Sequence, residues 1–131
     1  MDYEILEIFK DSSDIYNLYG ELGWNKYLNL PKEQLNKAME NSWYVIYLYN
    51  EEQLIGTGRM LSDGIINAYI LGVGVHPRYQ NKRLGEKIIQ LLLQKGKEAN
   101  LNIQLFCKDD VKSYYEKQDF RCFSTGMIYK G

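Results

Sequence analysis

Residues 43 to 75 constrain the fold most. Trp43-Tyr44-Val45-Ile46-Tyr47-Leu48-Tyr49 and Gln53-Leu54-Ile55-Gly56-Thr57-Gly58-Arg59-Met60-Leu61 are runs rich in β-branched and aromatic side chains, separated by Asn50-Glu51-Glu52. Branched and ring side chains suit the pleated surface of a strand, and the polar tripeptide supplies a reversal, so the pair reads as a hairpin. Ser62-Asp63-Gly64 is a second turn. It leads into a third run, Ile65 to Val75, that stops at His76-Pro77, where proline removes a donor and restricts the residue before it. Three successive antiparallel strands are therefore predicted.

The flanks change period. Tyr3 to Phe9 is a short extended pattern that ends at Lys10-Asp11-Ser12-Ser13, and Ser13 is placed to cap a helix through Ile15, Leu18 and Tyr19. Gly20 and Gly23 interrupt that helix, leaving Gly20 to Trp24 as a loop with a large aromatic at its end. Pro31 opens a second helix carrying Leu35, Ala38 and Met39, which Asn41-Ser42 ends. Downstream, Leu84, Ile88, Leu91 and Leu92 recur at helical spacing, Leu101 to Cys107 alternates as a strand, Asp110 is placed to cap a short helix through Lys117, and Arg121 to Tyr129 reads as extended. The order β, α, α, β, β, β, α, β, α, β describes one α/β (α+β) domain over residues 1–131, a mixed and mostly antiparallel sheet with helices on both faces. With 45% hydrophobic and 25% charged residues, the chain has the composition of a folded domain.

Charge and cysteines narrow the function classes. The 16 basic and 17 acidic side chains give a formal net charge of -1, so no global field draws nucleic acid or an anionic membrane. The charge is uneven, however, and Arg78, Lys82, Arg83 and Lys87 gather against one acid, Glu86, at the start of the long helix. Cys107 and Cys122 lack CxxC spacing and read as reduced thiols; with His76 the only histidine, no metal site is expected. The N-terminus has no cationic flank followed by an apolar stretch, and the apolar runs Trp43 to Tyr49 and Ile88 to Leu93 are too short to cross a bilayer. No membrane partner is expected, and the expected compartment is the cytoplasm.

One loop carries the chemistry. A strand ending at Val75, the stretch Gln80-Asn81-Lys82-Arg83-Leu84-Gly85 and a helix beginning there would bring backbone N–H groups and the positive end of a helix to one point, which suits a pyrophosphate. Val73 to Ile88 resembles motif A of the GNAT superfamily of acyl-CoA N-acyltransferases, whose core is Q/R-x-x-G-x-G/A. Val111-Lys112-Ser113-Tyr114-Tyr115-Glu116-Lys117-Gln118-Asp119-Phe120 resembles the later A-x-x-F-Y-E-K-x-G-F segment of the same superfamily. The two segments stand in the family's order, and the strand pattern suits its fold.

The resemblance implies an enzyme that transfers acetyl from acetyl-CoA directly to a primary amine of a small molecule. It implies that the strand ending at Val75 and the strand Leu101 to Cys107 splay apart, with pantetheine lying between them against backbone at Val73 and Val75. The diphosphate would rest on Gln80, Asn81, Lys82, Arg83, Leu84, Gly85 and Glu86. A backbone N–H near Val73 would face the thioester oxygen, and Tyr115 would protonate the departing thiolate. Two positions depart from the pattern. Arg83 replaces the first motif glycine, and a non-glycine residue held at positive φ costs on the order of 1 kcal/mol; Asp119 replaces the glycine before the final Phe. No carboxylate stands on Tyr69 to Val75 to act as base, which leaves Glu21 and Asp63 as candidates. Trp24 and Tyr27 fall in the region that covers the acceptor, and Arg59 could meet a carboxylate there. The alternative is a non-catalytic acyl-CoA-binding or sensor module of the same fold. A monomer or a homodimer suits either reading.

Overall fold

The computed structural model describes residues 2–131. The elements are β1 (Glu4–Leu6), α1 (Asp14–Glu21), α2 (Asn25–Leu28), α3 (Lys32–Glu40), β2 (Tyr44–Asn50), β3 (Gln53–Ser62), β4 (Asn67–Val75), a 3-10 turn (Pro77–Tyr79), α4 (Leu84–Glu98), β5 (Asn102–Leu105), a second 3-10 turn (Asp109–Val111) and α5 (Lys112–Glu116). They build one five-stranded sheet in the order β1-β2-β3-β4-β5. The first three pairings are antiparallel and β4 with β5 is parallel, α4 making the crossover that a parallel pair needs.

Helices cover both faces, which explains why β2 is apolar without alternation. Ile46 and Leu48 point to one side and pack with Ile88, Ile89 and Leu92 of α4. Val45, Tyr47 and Tyr49 point to the other and pack with Ile15 and Leu18 of α1 and Leu35 and Met39 of α3. A strand buried on both faces reads as a continuous hydrophobic run. Tyr49 is fully buried, yet its hydroxyl donates to Asp14 Oδ2 at 2.7 Å and accepts from the Lys10 backbone N–H at 2.8 Å, so its polar end is satisfied.

The α4 layer fits the sheet tightly at one glycine. A Cβ on Gly58 of β3 would stand 2.6 Å from Ile88 Cγ2, 3.2 Å from Leu92 Cδ1 and 3.3 Å from Val73 Cγ2. Gly58→Ala is therefore expected to force α4 off the sheet and to destabilise the protein by about 1–3 kcal/mol, read as a lowered denaturant midpoint with an unchanged m-value.

Three local expectations differ from the structure. The short α2 helix forms within the stretch after the two-glycine loop. The Asn25 side chain braces it, its Nδ2 donating to Leu30 O at 3.0 Å and its Oδ1 accepting from Leu30 N–H at 3.1 Å. Asp110 lies in the second 3-10 turn and Val111 takes the cap of α5. Residues 121–131 join no ladder, and Met127, Ile128 and Tyr129 are almost wholly exposed, so the apolar character that made this tail read as extended is not used in the sheet.

Candidate active site

The sheet opens along β4. Pairing with β5 runs from Asn67↔Asn102 to Ile70↔Leu105 and stops, so Leu71–Val75 is laddered to β3 alone. The splay expected between these strands is present. On the β3 side, Thr57 pairs with Gly74 and Arg59 with Leu71, so the single residue Gly58 faces two residues of β4, Gly72 and Val73. This is a β-bulge, and Gly72 adopts φ +63°, which only glycine takes without strain. The bulge inverts the alternation of β4. Ala68 and Ile70 face α4 before it, and Val73 and Val75 face α4 after it.

Beyond β4 the chain turns sharply into α4. His76 is buried and its Nδ1 accepts the Arg78 backbone N–H at 3.1 Å, a structural role that shapes the turn. Gln80 Nε2 donates to the Val75 carbonyl at 3.0 Å and ties the loop back to the strand end. Asn81 and Arg83 both stand in the left-handed region, at φ 65° and 61°, and Arg83 is the N-cap of α4. The Lys87 N–H bonds the Arg83 carbonyl at 3.1 Å, which leaves the N–H groups of Leu84, Gly85 and Glu86 without intrahelical partners at the positive end of a 15-residue helix. Lys82 and Arg83 are exposed beside them. These donors fit a diphosphate. Gly85 also lets α5 approach, since a Cβ there would stand 3.0 Å from Tyr114 Oη.

A cleft of about 490 Å³ lies over the opening in β4. Leu71, Gly72 and Val73 form its floor; Tyr115, Leu105 and Phe106 stand on one side, and Tyr19, Trp24, Tyr27 and Arg59 on the other. The structure thus brings Val73 and Tyr115 together in one cavity. Val75 and the run from Gln80 to Glu86 lie beyond it, at the strand end and the start of α4. Tyr115 is half-buried between Tyr114 and Phe120, with ring centroids 5.1 and 5.9 Å away. Burial first, then Tyr114 and Cys107, push its hydroxyl above the ordinary tyrosine value, so it holds its proton across the neutral range.

The candidate bases do not reach this cavity. Asp63 Oδ1 accepts the Ile65 and Ile66 N–H groups at 2.8 and 2.7 Å, and these backbone bonds hold its carboxyl below the usual range while it closes the β3–β4 turn. Glu21 lines a different cavity, with Asp14 and His76. No Asp, Glu or His lines the cleft between Val73 and Tyr115. Among the described residues no three His, Cys, Asp or Glu side chains gather as a metal would require, and no helix is long and apolar enough to cross a membrane.

Tyr19 is the site residue that the sequence did not single out, whereas the glycine-dotted Leu71-Gly72-Val73-Gly74-Val75 reads as a bulge or a ligand's close approach, and the bulge is there at Gly72. The signal for Gly72 is the parity change in Asn67-Ala68-Tyr69-Ile70-Leu71-Gly72-Val73-Gly74-Val75, where apolar residues switch from even to odd positions across a glycine. Arg83 carries a test of its own. Arg83→Gly is expected to raise stability by about 1 kcal/mol by relieving left-handed strain. Losing an exposed cation should weaken diphosphate binding by about 2- to 5-fold, measured by calorimetry with acetyl-CoA.

Comparison with known proteins follows this geometry. The family model described as acetyltransferase (GNAT) family matches residues 5–120. An uncharacterized N-acetyltransferase ycf52 of Pyropia yezoensis is 33% identical over 128 residues, covering 89% of this chain and 72% of that protein. A GNAT family acetyltransferase of Streptococcus pneumoniae superposes with a TM-score of 0.79 at 24% identity, over 99% of this chain and 97% of that one. The PaiA N-acetyltransferase of Thermoplasma acidophilum, solved in complex with coenzyme A, superposes with a TM-score of 0.76 at 17% identity, over 96% and 94% of the two chains.

Proposed function

Because the chain belongs to the acetyltransferase (GNAT) family, we propose that it transfers acetyl from acetyl-CoA to the primary amine of a small molecule, by direct attack in a ternary complex. The observation that carries this reading is the opening of β4 from β5, with a glycine bulge on its floor and a protonated tyrosine at its side. Acetyl-CoA, when bound, supplies an activated acyl group.

The roles of the chain's own residues follow from their places. The unpartnered N–H groups of Leu84, Gly85 and Glu86, with Lys82 and Arg83, hold the diphosphate; Asn81 shapes the loop and Gln80 fixes it to Val75. Leu71–Val75, laddered on one side only, offers backbone to the pantetheine as a neighbouring strand would. Val73 lies at the bulge on the cavity floor, and its N–H is the proposed donor to the negative charge that develops on the acyl oxygen. Tyr115 Oη holds the proton that the departing sulfur takes. Trp24, packed edge-on to Tyr19, walls the cavity beside the amine, and the exposed Tyr27 stands at its rim. With no carboxylate in the cavity, the amine must arrive unprotonated or release its proton to solvent. The cytoplasm is the proposed compartment, with no nucleic acid or membrane partner.

Two measurements test the reading. Calorimetry is expected to show saturable acetyl-CoA binding, and a panel of amines is expected to release free thiol from acetyl-CoA with at least one member. Binding without release by any amine would replace the enzyme with an acyl-CoA-binding module. No binding would overturn both.

A further inference from the structure

We propose that the acceptor carries an anionic group, a carboxylate, and that Arg59 receives it; this rests on the acyltransferase reading above. Arg59 stands on β3 opposite Leu71 and reaches across the bulge, so a Cβ on Gly72 would lie 3.5 Å from its Nε and 3.3 Å from Tyr19 Oη. The Arg59 side chain therefore lies against Gly72 in the same cleft as Val73, where the acyl group would sit.

That guanidinium is short of partners. Its Nη1 donates to Ser42 Oγ at 3.2 Å, its Nε is buried with no partner, and its remaining neighbour is the neutral Tyr19 hydroxyl, whose pKa burial pushes up and the guanidinium pulls back down. The ion pairs among the described residues are those of Lys10 with Glu4 and Glu52, so no carboxylate lies within 4.0 Å of Arg59. A partly buried cation without a counter-charge is costly, and guanidinium is the side chain whose planar donors match a carboxylate in two parallel bonds. Among the described residues, Arg59 is also the sole cationic side chain lining this cleft, and no acid lines it. An acceptor with several ammonium groups would meet only repulsion there. An amine that brings its own carboxylate would neutralise the arginine while placing its nitrogen beside Val73. Trp24, Tyr27 and Phe106 suit an apolar or aromatic body between the two charged ends.

The test uses pairs of amines that differ only in the carboxylate: 4-aminobenzoate against aniline, and tryptophan against tryptamine. Thiol release from acetyl-CoA is measured with the wild-type chain, Arg59→Lys and Arg59→Met. The carboxylate member of at least one pair is expected to show a kcat/KM about 10- to 100-fold higher in the wild type. That ratio should shrink in Arg59→Lys and fall to about one in Arg59→Met, while the acetyl-CoA affinity of both variants, read by calorimetry, stays at the wild-type value and shows them folded. Equal or better turnover of the decarboxylated amine by the wild type, or a ratio that survives in Arg59→Met, overturns the proposal and leaves the acyltransferase reading standing. Absence of thiol release with every amine of the pairs and of the wider panel overturns both.

Discussion

If Tyr115 is the proposed proton donor, Tyr115→Phe is expected to lower kcat by about 100-fold and to leave acetyl-CoA affinity unchanged. General-acid groups contribute about 10²- to 10⁴-fold, and the lower end is expected because a thiolate, with a pKa near ~8.5, leaves more readily than an amide or alkoxide. Affinity should hold because Tyr115 lines the cleft around the reacting centre, whereas the diphosphate donors belong to α4. The pH profile supplies the second readout. Burial, Tyr114 and Cys107 raise the Tyr115 hydroxyl above its ordinary value near 10, and the proton-bearing form is the active one. Activity that depends on it is therefore complete through neutral pH and is lost only as pH rises through a value above 10. That alkaline limb should vanish in Tyr115→Phe. A variant with wild-type kcat would remove Tyr115 from the reaction.

Gly72→Val is expected to cost both stability and rate. At φ +63° a β-branched residue is strained by about 1–3 kcal/mol, and its Cβ would press on Tyr19 Oη at 3.3 Å and Arg59 Nε at 3.5 Å. The strand can answer by closing the bulge, which returns Val73 and Val75 to the wrong parity and would remove the Val73 N–H from its proposed place facing the acyl oxygen. Losing one such donor costs about 10²- to 10³-fold in kcat. Thermal unfolding and steady-state kinetics on the same preparation separate the two effects: a variant that melts lower but turns over normally would show that the bulge serves packing alone.

The three central strands were legible because Trp43 to Val75 is so dense in branched and aromatic residues that no other element accommodates it. The candidate phosphate loop and Tyr115 stood out because both lie in compact segments whose spacing survives the departures at Arg83 and Asp119, each of which adopts the positive φ that glycine would have taken. Arg59 was legible as a candidate for an acceptor carboxylate but not as part of a half-buried pocket, since its surroundings depend on the bulge beside it in the β3–β4 pairing and on Tyr19 of α1, distant in sequence. α2 escaped notice because Asn25 makes it, through bonds to Leu30 that no periodicity encodes. The tail misled for the opposite reason: Ile128 and Tyr129 have strand-forming side chains, but a ladder requires a neighbour, and β5 takes its bonds from β4.

The half of β4 beyond Ile70 has a neighbour on one side only, so the sheet is unfinished there. Whatever fills that slot lends it the missing rung, so occupancy becomes visible as heat resistance. A ligand at one hundred times its Kd adds about 2.7 kcal/mol by mass action, and those amide protons of Leu71 to Val75 that do not bond to β3 should trade for deuterium more slowly once acetyl-CoA is added.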